Sequence, residues 1–224
     1  MDQAPPPPES AYESAISYPL QVRLRAFDCM EPLQGWCTRE KAAYLIDLIL
    51  IEKPKKIVEI GVFQGKSLIP MACALEANGS GLIFGIDPWN AQDAAAGLKH
   101  PVNRSFWIHT DFEKLFVGLL ERIEEFELQK RIVLVRKSSA EAEPIQDIDL
   151  LHIDGNHSEA ASYLDVTKWT PLVRRGGAIL FNDLNWRENG VCPVTKAIQW
   201  LDEHCDRERT IQNELGSWAI WRKR

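Results

Sequence analysis

Two apolar runs of the sequence end in polar side chains that could do chemistry together. Asp154 and His157 follow the run LLHI, and Asn182 and Asp183 follow the run AILF. Neighbouring parallel strands lie about 4.8 Å apart, so carboxylates that end two such strands can converge on one cation. Oxygen ligands of this kind suit Mg²⁺, Mn²⁺ or Ca²⁺, with water or substrate in the remaining positions. The pair Asp154 and Asp183 is therefore a candidate cation site.

A glycine-rich turn follows an earlier apolar run. The segment VEIGVFQGKS places Glu59, Gly61, Gly65 and Ser67 at a strand end, in a tight turn and at a helix start. Glycines let the backbone approach a ligand closely, and a helix N-terminus offers unpaired N–H groups. The turn is a candidate ligand-binding loop, or a glycine turn that only packs a helix on a strand.

Three ligands compete for this turn. A nucleoside triphosphate is disfavoured because its loop requires four residues between the glycines, and only three separate Gly61 from Gly65, although a Lys-Ser pair follows. A dinucleotide is disfavoured because Phe63 stands where its fingerprint requires glycine. S-adenosylmethionine is favoured, since Glu59 would repel phosphate but suits a ligand that carries an ammonium and a sulfonium group.

The turn resembles the first motif, E-x-G-x-x-x-G-x-S, of the class I S-adenosylmethionine-dependent methyltransferases. In that superfamily an acid that ends the second strand holds the ribose hydroxyls, and this place falls on Asp87. A carboxylate suits a diol because it accepts two hydrogen bonds. The loop that meets the adenine places Ser139 at the matching hydroxyl. Simpler roles stay open, a turn residue before Pro88 for Asp87 and a helix cap for Ser139.

The polar segments after the fourth and fifth strands resemble those of the divalent-metal-dependent small-molecule O-methyltransferases. That group includes the catechol, caffeoyl-coenzyme A and macrolide-sugar enzymes. The resemblance implies Asp154, Asn182 and Asp183 as ligands of a divalent cation, with Mg²⁺ expected, and His157 as general base. Asp154 would also border the S-adenosylmethionine crevice, which lies at the switch point of the sheet.

The chain departs from the sugar-methylating branch at two places. Glu159-Ala160 stands where that branch has Tyr-Glu, and Asn182-Asp183 supplies one ligand charge fewer. These departures keep open a binding module that retained the fold and the S-adenosylmethionine site but lost turnover. A P-loop-like nucleotide-binding enzyme, in which Lys66 acts on phosphate, is the alternative from another enzyme class. Taken singly, Asp183 could cap a turn and His157 could be an exposed loop histidine.

The elements that must position these residues follow from the hydrophobic pattern. Continuous apolar runs alternate with amphipathic segments, which is typical of a parallel sheet covered by helices on both faces. Strands are predicted at 57–60, 82–86, 132–135, 150–153 and 178–181, with helices near 66–77, 111–128 and 157–170. After a helix at about 193–204, residues 209–214 and 217–222 predict an antiparallel hairpin. We therefore predict an α/β, Rossmann-like, doubly wound seven-stranded sheet with a C-terminal hairpin.

The N-terminal part of the chain is predicted to lie outside the sheet. The Pro-rich residues 1–11 are expected to form a disordered tail, followed by one methyltransferase domain over 12–224. Within that domain, residues 12–54 are expected to form a helical cap. Its two helices are predicted at 12–30 and 38–52.

Three tryptophans and one long connection are placed to shape an acceptor pocket. Trp36, Trp89 and Trp186 fall in predicted loops near the carboxyl edge of the sheet and could wall an aromatic or sugar acceptor. The connection over residues 90–110 is long for its place and is a candidate lid.

Composition and charge exclude several classes of protein. Of the 224 residues, 45% are hydrophobic and 26% charged, as in ordinary globular proteins. No apolar run approaches the roughly 20 residues that span a bilayer, and a net charge of −6 disfavours nucleic acid. Five scattered cysteines without a C-x-x-C pair indicate reduced thiols. We expect a cytoplasmic enzyme with a small hydroxylated acceptor, no nucleic-acid or membrane partner, and an oligomeric state that the sequence leaves open.

Overall fold

A computed structural model describes residues 9–213 and 216–224. Residues 1–8 of the expected tail lie outside the described residues, as do Glu214 and Leu215 of the expected hairpin. The first helix begins at Glu9, so residues 9–11 are helical instead of belonging to the tail. A helix can begin directly after a proline, because proline disfavours helical backbone in the residue before it and not in the residue after it.

In the described part of the chain, seven strands form one sheet in the order β3-β2-β1-β4-β5-β7-β6. Strands β1 to β5 are parallel to one another. At one edge of the sheet, β7 pairs antiparallel with β5, and β6 pairs antiparallel with β7. The strands are β1 Lys56–Ile60, β2 Leu82–Ile86, β3 Ile132–Val135, β4 Ile148–Ile153, β5 Val173–Asn182, β6 Cys205–Asn213 and β7 Gly216–Lys223. This confirms the predicted α/β fold, and it places β1 beside β4 at the switch point of the sheet.

Helices cover both faces of the sheet. They are α1 Glu9–Met30, α2 Arg39–Glu52, α3 Leu68–Ala77, α4 Ala91–Ala95, α5 Pro101–His109, α6 Phe112–Glu125, α7 Glu159–Trp169 and α8 Thr195–His204. Successive residues of a strand point to opposite faces, so Ile57 joins a core with α1, α2, α3 and α6, and Val58 joins a second core with α7 and α8. Across the described residues, no helix has the length and apolar character that crossing a bilayer would require.

Two strands extend by at least four residues beyond their predicted limits, whereas β1, β4 and β7 extend by only one or two residues at an end. β5 begins at Val173, and its residues 174–176 are exposed and polar or glycine, so no apolar run marked them. β6 begins at Cys205, directly after α8, and most of its side chains are exposed at the sheet edge. Edge strands are often polar, which explains why hydrophobic pattern alone located only the second half of β6. The candidate lid over residues 90–110 folds into the two short helices α4 and α5.

Candidate functional site

A cavity of about 700 Å³ opens at the carboxyl ends of the central strands. It lies beside the switch point between β1 and β4, where ligands bind in open α/β sheets. Most of the residues predicted for the site line its wall, namely Gly61, Ser67, Asp87, Ser139, Asp154, His157, Asn182 and Asp183. The structure therefore brings together residues that the sequence separates by more than a hundred positions.

The turn after β1 is held against the ends of β2 and β4. Gly61 N donates to Ile86 O at 2.9 Å, and Asp154 N donates to Ile60 O at 2.8 Å. Gly61 has a φ of +84°, and a Cβ at this position would lie 2.2 Å from Asp154 O. Only glycine fits here, because both the backbone conformation and the close approach of the β4 end exclude a side chain.

Asp87 anchors the same turn through its carboxylate. Oδ2 accepts the N–H groups of Val62 and Phe63, each at 2.9 Å, and Oδ1 accepts that of Trp89 at 2.7 Å. Burial raises the pKa of Asp87, and these three bonds oppose that rise. Each carboxylate oxygen can accept about two hydrogen bonds, so Oδ1 can also accept one from a ligand hydroxyl. Asp87 therefore combines a structural bond to the turn with a place on the cavity wall.

Two residues predicted to bind the cofactor, Glu59 and Gly65, are outside the cavity wall as the described residues form it. Glu59 is fully buried, and its Oε1 accepts from Ser67 Oγ at 2.5 Å and from His152 Nδ1 at 2.8 Å. Gly65 serves packing, because a Cβ there would lie 2.6 Å from Leu119 Cδ1 of α6. Glu59 therefore acts on the cavity through Ser67, which does line it.

Asp154 pairs with a lysine that the sequence analysis missed. Lys41 Nζ lies 3.2 Å from Asp154 Oδ2, and only 6% of the lysine side chain is exposed. Burial alone would raise the pKa of Asp154, but Lys41, followed by His152 and His157, lowers it to about 2. Burial lowers the pKa of Lys41, and Asp154 more than offsets this, so the pKa is raised. Both groups are therefore charged at neutral pH.

A sequence signal for Lys41 did exist. Lys41 lies on the buried face of α2, one helical turn before Leu45 and two turns before Ile49. Residues at such spacing share one face of a helix. A lysine on an apolar helix face requires a partner, because lysine is almost never fully buried unpaired.

His157 and Asp183 form a second hydrogen-bonded pair beside the first. His157 Nε2 lies 2.9 Å from Asp183 Oδ2, and the imidazole stacks on Trp186 with ring centroids 4.8 Å apart. Burial lowers the pKa of His157, but the hydrogen bond that its Nε2 donates to Asp183 and the charge of that carboxylate more than offset this, so the pKa is raised. Ligand atoms of Asp154, His157 and Asp183 all lie within 4.8 Å of one another.

Ser139 contacts a buried carboxylate that the sequence analysis also missed. Its Oγ donates to Asp165 Oδ1 at 2.5 Å, and Asp165 lines the cavity from α7. Burial raises the pKa of Asp165 to about 7, with Ser139 and His157 opposing the rise. Asp165 belongs to the buried face of α7 with Val166 and Trp169, so its position within an amphipathic segment was the available signal.

Aromatic side chains form the outer wall of the cavity. Trp36, which is 67% exposed, contacts the rings of Phe63, Phe106 and Trp107 at centroid distances of 5.5 to 5.9 Å. Trp36 and Trp186 line the cavity as predicted. Trp89 instead has the other role open to such tryptophans, which is packing: it is only 3% exposed, and its Nε1 donates to Phe63 O at 2.6 Å.

Comparison with known families decides what this fold and cavity belong to. A family model described as a methyltransferase domain matches residues 58–184, which is more than half of the chain. The chain belongs to this methyltransferase family. The matched region runs from β1 to the end of β5 and includes the glycine-rich turn and Asp154, whereas Lys41 lies before it.

Similar proteins have been characterised to different degrees. The methyltransferase is 28% identical over 145 residues to the uncharacterized protein y4gI of Sinorhizobium fredii, and it spans 14% of the length of that protein. The O-methyltransferase NovP has a TM-score of 0.63 at 17% identity, with 94% and 99% of the two chains covered. Cofactor-bound Rv0187 from MTB has a TM-score of 0.61 at 16% identity, with 99% of each chain covered. TomG of Streptomyces achromogenes, an O-methyltransferase in complex with SAM, has a TM-score of 0.60 at 15% identity. The match covers 95% of this chain and 94% of TomG.

These findings confirm the resemblance to methyltransferases at the level of the family and the fold. They disfavour the P-loop alternative, and the geometry of the glycine-rich turn disfavours it as well. The Ser67 hydroxyl, which a P-loop would offer to magnesium, instead donates to Glu59.

Proposed function

We propose that this methyltransferase transfers a methyl group from S-adenosylmethionine to a hydroxyl group of a small molecule. The observation that carries the proposal is one continuous cavity, which joins the glycine-rich turn at one end to the His157–Asp183 pair at the other. A methyl donor at the turn and an acceptor hydroxyl at the histidine would then face each other within one enclosed space.

The residues at the turn fit S-adenosylmethionine. Gly61 lines the cavity without a side chain that could block it, Asp87 Oδ1 can accept a ribose hydroxyl, and Ser139 lines the wall beside Asp165. TomG holds SAM in the same fold. Bound S-adenosylmethionine supplies an activated methyl group, whose bond to sulfur breaks as the bond to the acceptor oxygen forms, with the electron pair remaining on sulfur.

His157 is the proposed general base. Its Nε2 is bound to Asp183 Oδ2, which leaves Nδ1 to take the proton of the acceptor hydroxyl. Asp183 fixes the orientation of the imidazole and stabilises the imidazolium that forms, as carboxylates do in other base–carboxylate pairs. Stacking on Trp186 further limits rotation of the ring.

A divalent cation, expected from the resemblance at Asp154, Asn182 and Asp183, fits these residues poorly. Asp154 Oδ2 is paired with the Lys41 ammonium, and Asp183 Oδ2 accepts a hydrogen bond from His157 Nε2, so one oxygen of each carboxylate already has a partner. Asn182 Oδ1 is buried without a hydrogen-bond partner among the described residues, but a neutral oxygen adds no negative charge to balance a divalent ion beside the Lys41 ammonium. We therefore assign no step of the reaction to a metal.

The proposal includes a cytoplasmic location, a small hydroxylated acceptor and no nucleic-acid partner. The net charge of −6 supports this, because an acidic surface does not attract a polyanion. The apolar and aromatic outer wall supports a small organic acceptor, since ligand pockets of this kind bury most of the ligand's surface.

Calorimetry and a transfer assay test the proposal. S-adenosylhomocysteine should bind the full chain, whereas ATP, the ligand of the P-loop alternative, should not. Formation of S-adenosylhomocysteine should then appear with at least one member of a panel of small phenols, catechols and sugars. Absence of binding at millimolar S-adenosylhomocysteine would refute the proposal. Binding without transfer to any panel member would instead favour the module that lost turnover, which the Asn182-Asp183 and Glu159-Ala160 departures keep open.

A further inference from the structure

Lys41 is an unusual residue for the place it occupies. It projects from the buried face of α2, where its neighbours on the same face are Ala42, Leu45, Ile46 and Ile49, and it lines the cavity. Thr38 caps this helix and accepts Lys41 N at 3.2 Å, which fixes the first turn. Burying a lysine costs several kcal/mol unless a partner compensates the charge, so the position of Lys41 is explained only by what it contacts.

Its contact is the carboxylate at the centre of the site. Lys41 Nζ lies 3.2 Å from Asp154 Oδ2, across a sequence separation of 113 residues. Asp154 is the residue that the resemblance implies as the first ligand of a divalent cation. The ammonium therefore lies against one of the two carboxylate oxygens that such a cation could use.

The charges of the neighbouring residues agree with a lysine ammonium, and not a divalent ion, beside Asp154. The carboxylates of Asp154 and Asp183 supply two negative charges, and the first position after β5 is the neutral Asn182. Lys41 returns one positive charge to the group, and His157 can carry a second. A divalent ion beside Lys41 would meet like-charge repulsion, which is strong at such short range in a site that is largely shielded from water.

We propose that the Lys41 ammonium is the cation of the acceptor site, in place of a divalent metal ion, and that it holds the acceptor oxygen during methyl transfer. This rests on the proposed function of the cavity. An ammonium has three N–H donors, and the contact with Asp154 uses one, so Lys41 can also donate to a hydroxyl or an alkoxide in the cavity. His157 removes the hydroxyl proton, and Lys41 stabilises the oxygen charge that develops before the O–C bond forms.

Manganese binding tests the proposal without any acceptor. Mn²⁺ is titrated into the full chain and the free ion is followed by electron paramagnetic resonance, for wild type and for Lys41→Arg, Lys41→Gln and Lys41→Met. Wild type and Lys41→Arg should show no binding up to about 1 mM, and the two neutral variants should bind at least about ten-fold more tightly. Lys66→Met, which removes another lysine of the cavity wall, should behave as wild type.

The opposite pattern would overturn the proposal. Micromolar Mn²⁺ binding by wild type, or neutral variants that bind no more tightly than wild type, would show that Lys41 does not occupy the cation position. Calorimetry with S-adenosylhomocysteine on the same samples separates this from the proposed function. Loss of that binding in wild type would refute the methyltransferase proposal, whatever the Mn²⁺ result.

A kinetic arm uses the acceptor found in the panel. EDTA should leave the wild-type rate unchanged, and Lys41→Gln should lower kcat/KM by about 100-fold or more with unchanged affinity for S-adenosylhomocysteine. Added Mn²⁺ should raise the rate of Lys41→Gln part of the way to the wild-type rate, and it should leave the rate of wild type unchanged. A wild-type rate that falls in EDTA and returns with Mg²⁺ would contradict the proposal.

Discussion

The two ends of the cavity are built in different ways. At the glycine-rich turn, Asp87 binds three backbone N–H groups that lie within 25 residues of it in the sequence. At the acceptor end, side chains pair with side chains, and the Lys41–Asp154 contact joins residues 113 positions apart. The turn is therefore a property of a short sequence motif, whereas the acceptor end exists only once α2 has packed against the sheet.

The two ends also neutralise their carboxylates differently. Backbone dipoles compensate Asp87, and these cannot be removed by changing a side chain. Lys41 and His157 compensate Asp154 and Asp183, and either can be replaced singly. Variation of the acceptor end is thus open to single substitutions, while the turn tolerates few.

The largest effect is expected for Gly61→Ala at the turn. The new Cβ would lie 2.2 Å from Asp154 O, a backbone atom that cannot rotate away, and the φ of +84° adds strain. We expect the free energy of unfolding to fall by more than about 3 kcal/mol and binding of S-adenosylhomocysteine to be lost. Thermal unfolding and calorimetry measure both effects.

Gly79→Ala is the matched control for this substitution. Gly79 also has a positive φ, +67°, but a Cβ there would meet nothing within 4 Å. The control should cost only the strain of the left-handed conformation, about 1–2 kcal/mol, and should keep normal ligand affinity. Equal losses in the two variants would mean that the approach of Asp154 does not decide the identity of residue 61.

An intermediate effect is expected for Asp183→Asn at the acceptor end. Asp183 raises the pKa of His157, and a general base acts only when deprotonated, so the wild-type rate should rise with pH through that raised pKa. The variant should lose at least about ten-fold in kcat, and its rising limb should move to lower pH. A pH profile of kcat measures this, with Asp93→Asn, another carboxylate of the wall, as control. An unmoved limb would show that His157 is not the base.

The fold and the turn could be predicted because their signals are local. Apolar runs marked the parallel strands, and the spacing of Glu59, Gly61 and Gly65 marked the turn. The prediction was less successful where one residue had several compatible roles. Glu59 has the charge expected of a cofactor contact, yet its carboxylate lies behind the wall and binds Ser67 and His152, which only the packing of β1 against β4 determines.

The acceptor end could be predicted only in part. Asp154, His157 and Asp183 follow strand ends, and parallel topology brings such ends together. Lys41 and Asp165 come from helix faces, and no periodicity states which strand end a helix residue will meet. Hydrophobic pattern treats both as interruptions of an apolar face, although burial of an ionisable side chain is itself a signal of a site.

The smallest effect is expected for Asp165→Asn. Asp165 is a buried carboxylate of the cavity wall that accepts a hydrogen bond from the neutral Ser139 hydroxyl. Its pKa is about 7, raised from 3.8 by burial. Between these values the folded chain holds a proton that the unfolded chain has released, so this residue's contribution to stability falls as pH rises from about 4 to 7. The variant removes this loss and should exceed wild type in melting temperature at pH 8, by about 2–4 °C per kcal/mol, with little difference near pH 4.

Asp149→Asn is the control and should have a lower melting temperature than wild type at neutral pH. Arg174 and the N–H groups of Lys55 and Lys56 outweigh burial and lower the pKa of Asp149, so loss of this carboxylate destabilises the protein. A difference for Asp165→Asn that is equal at pH 4 and pH 8 would mean that Asp165 is ionised throughout, and the turn end would then need a cation as the acceptor end does.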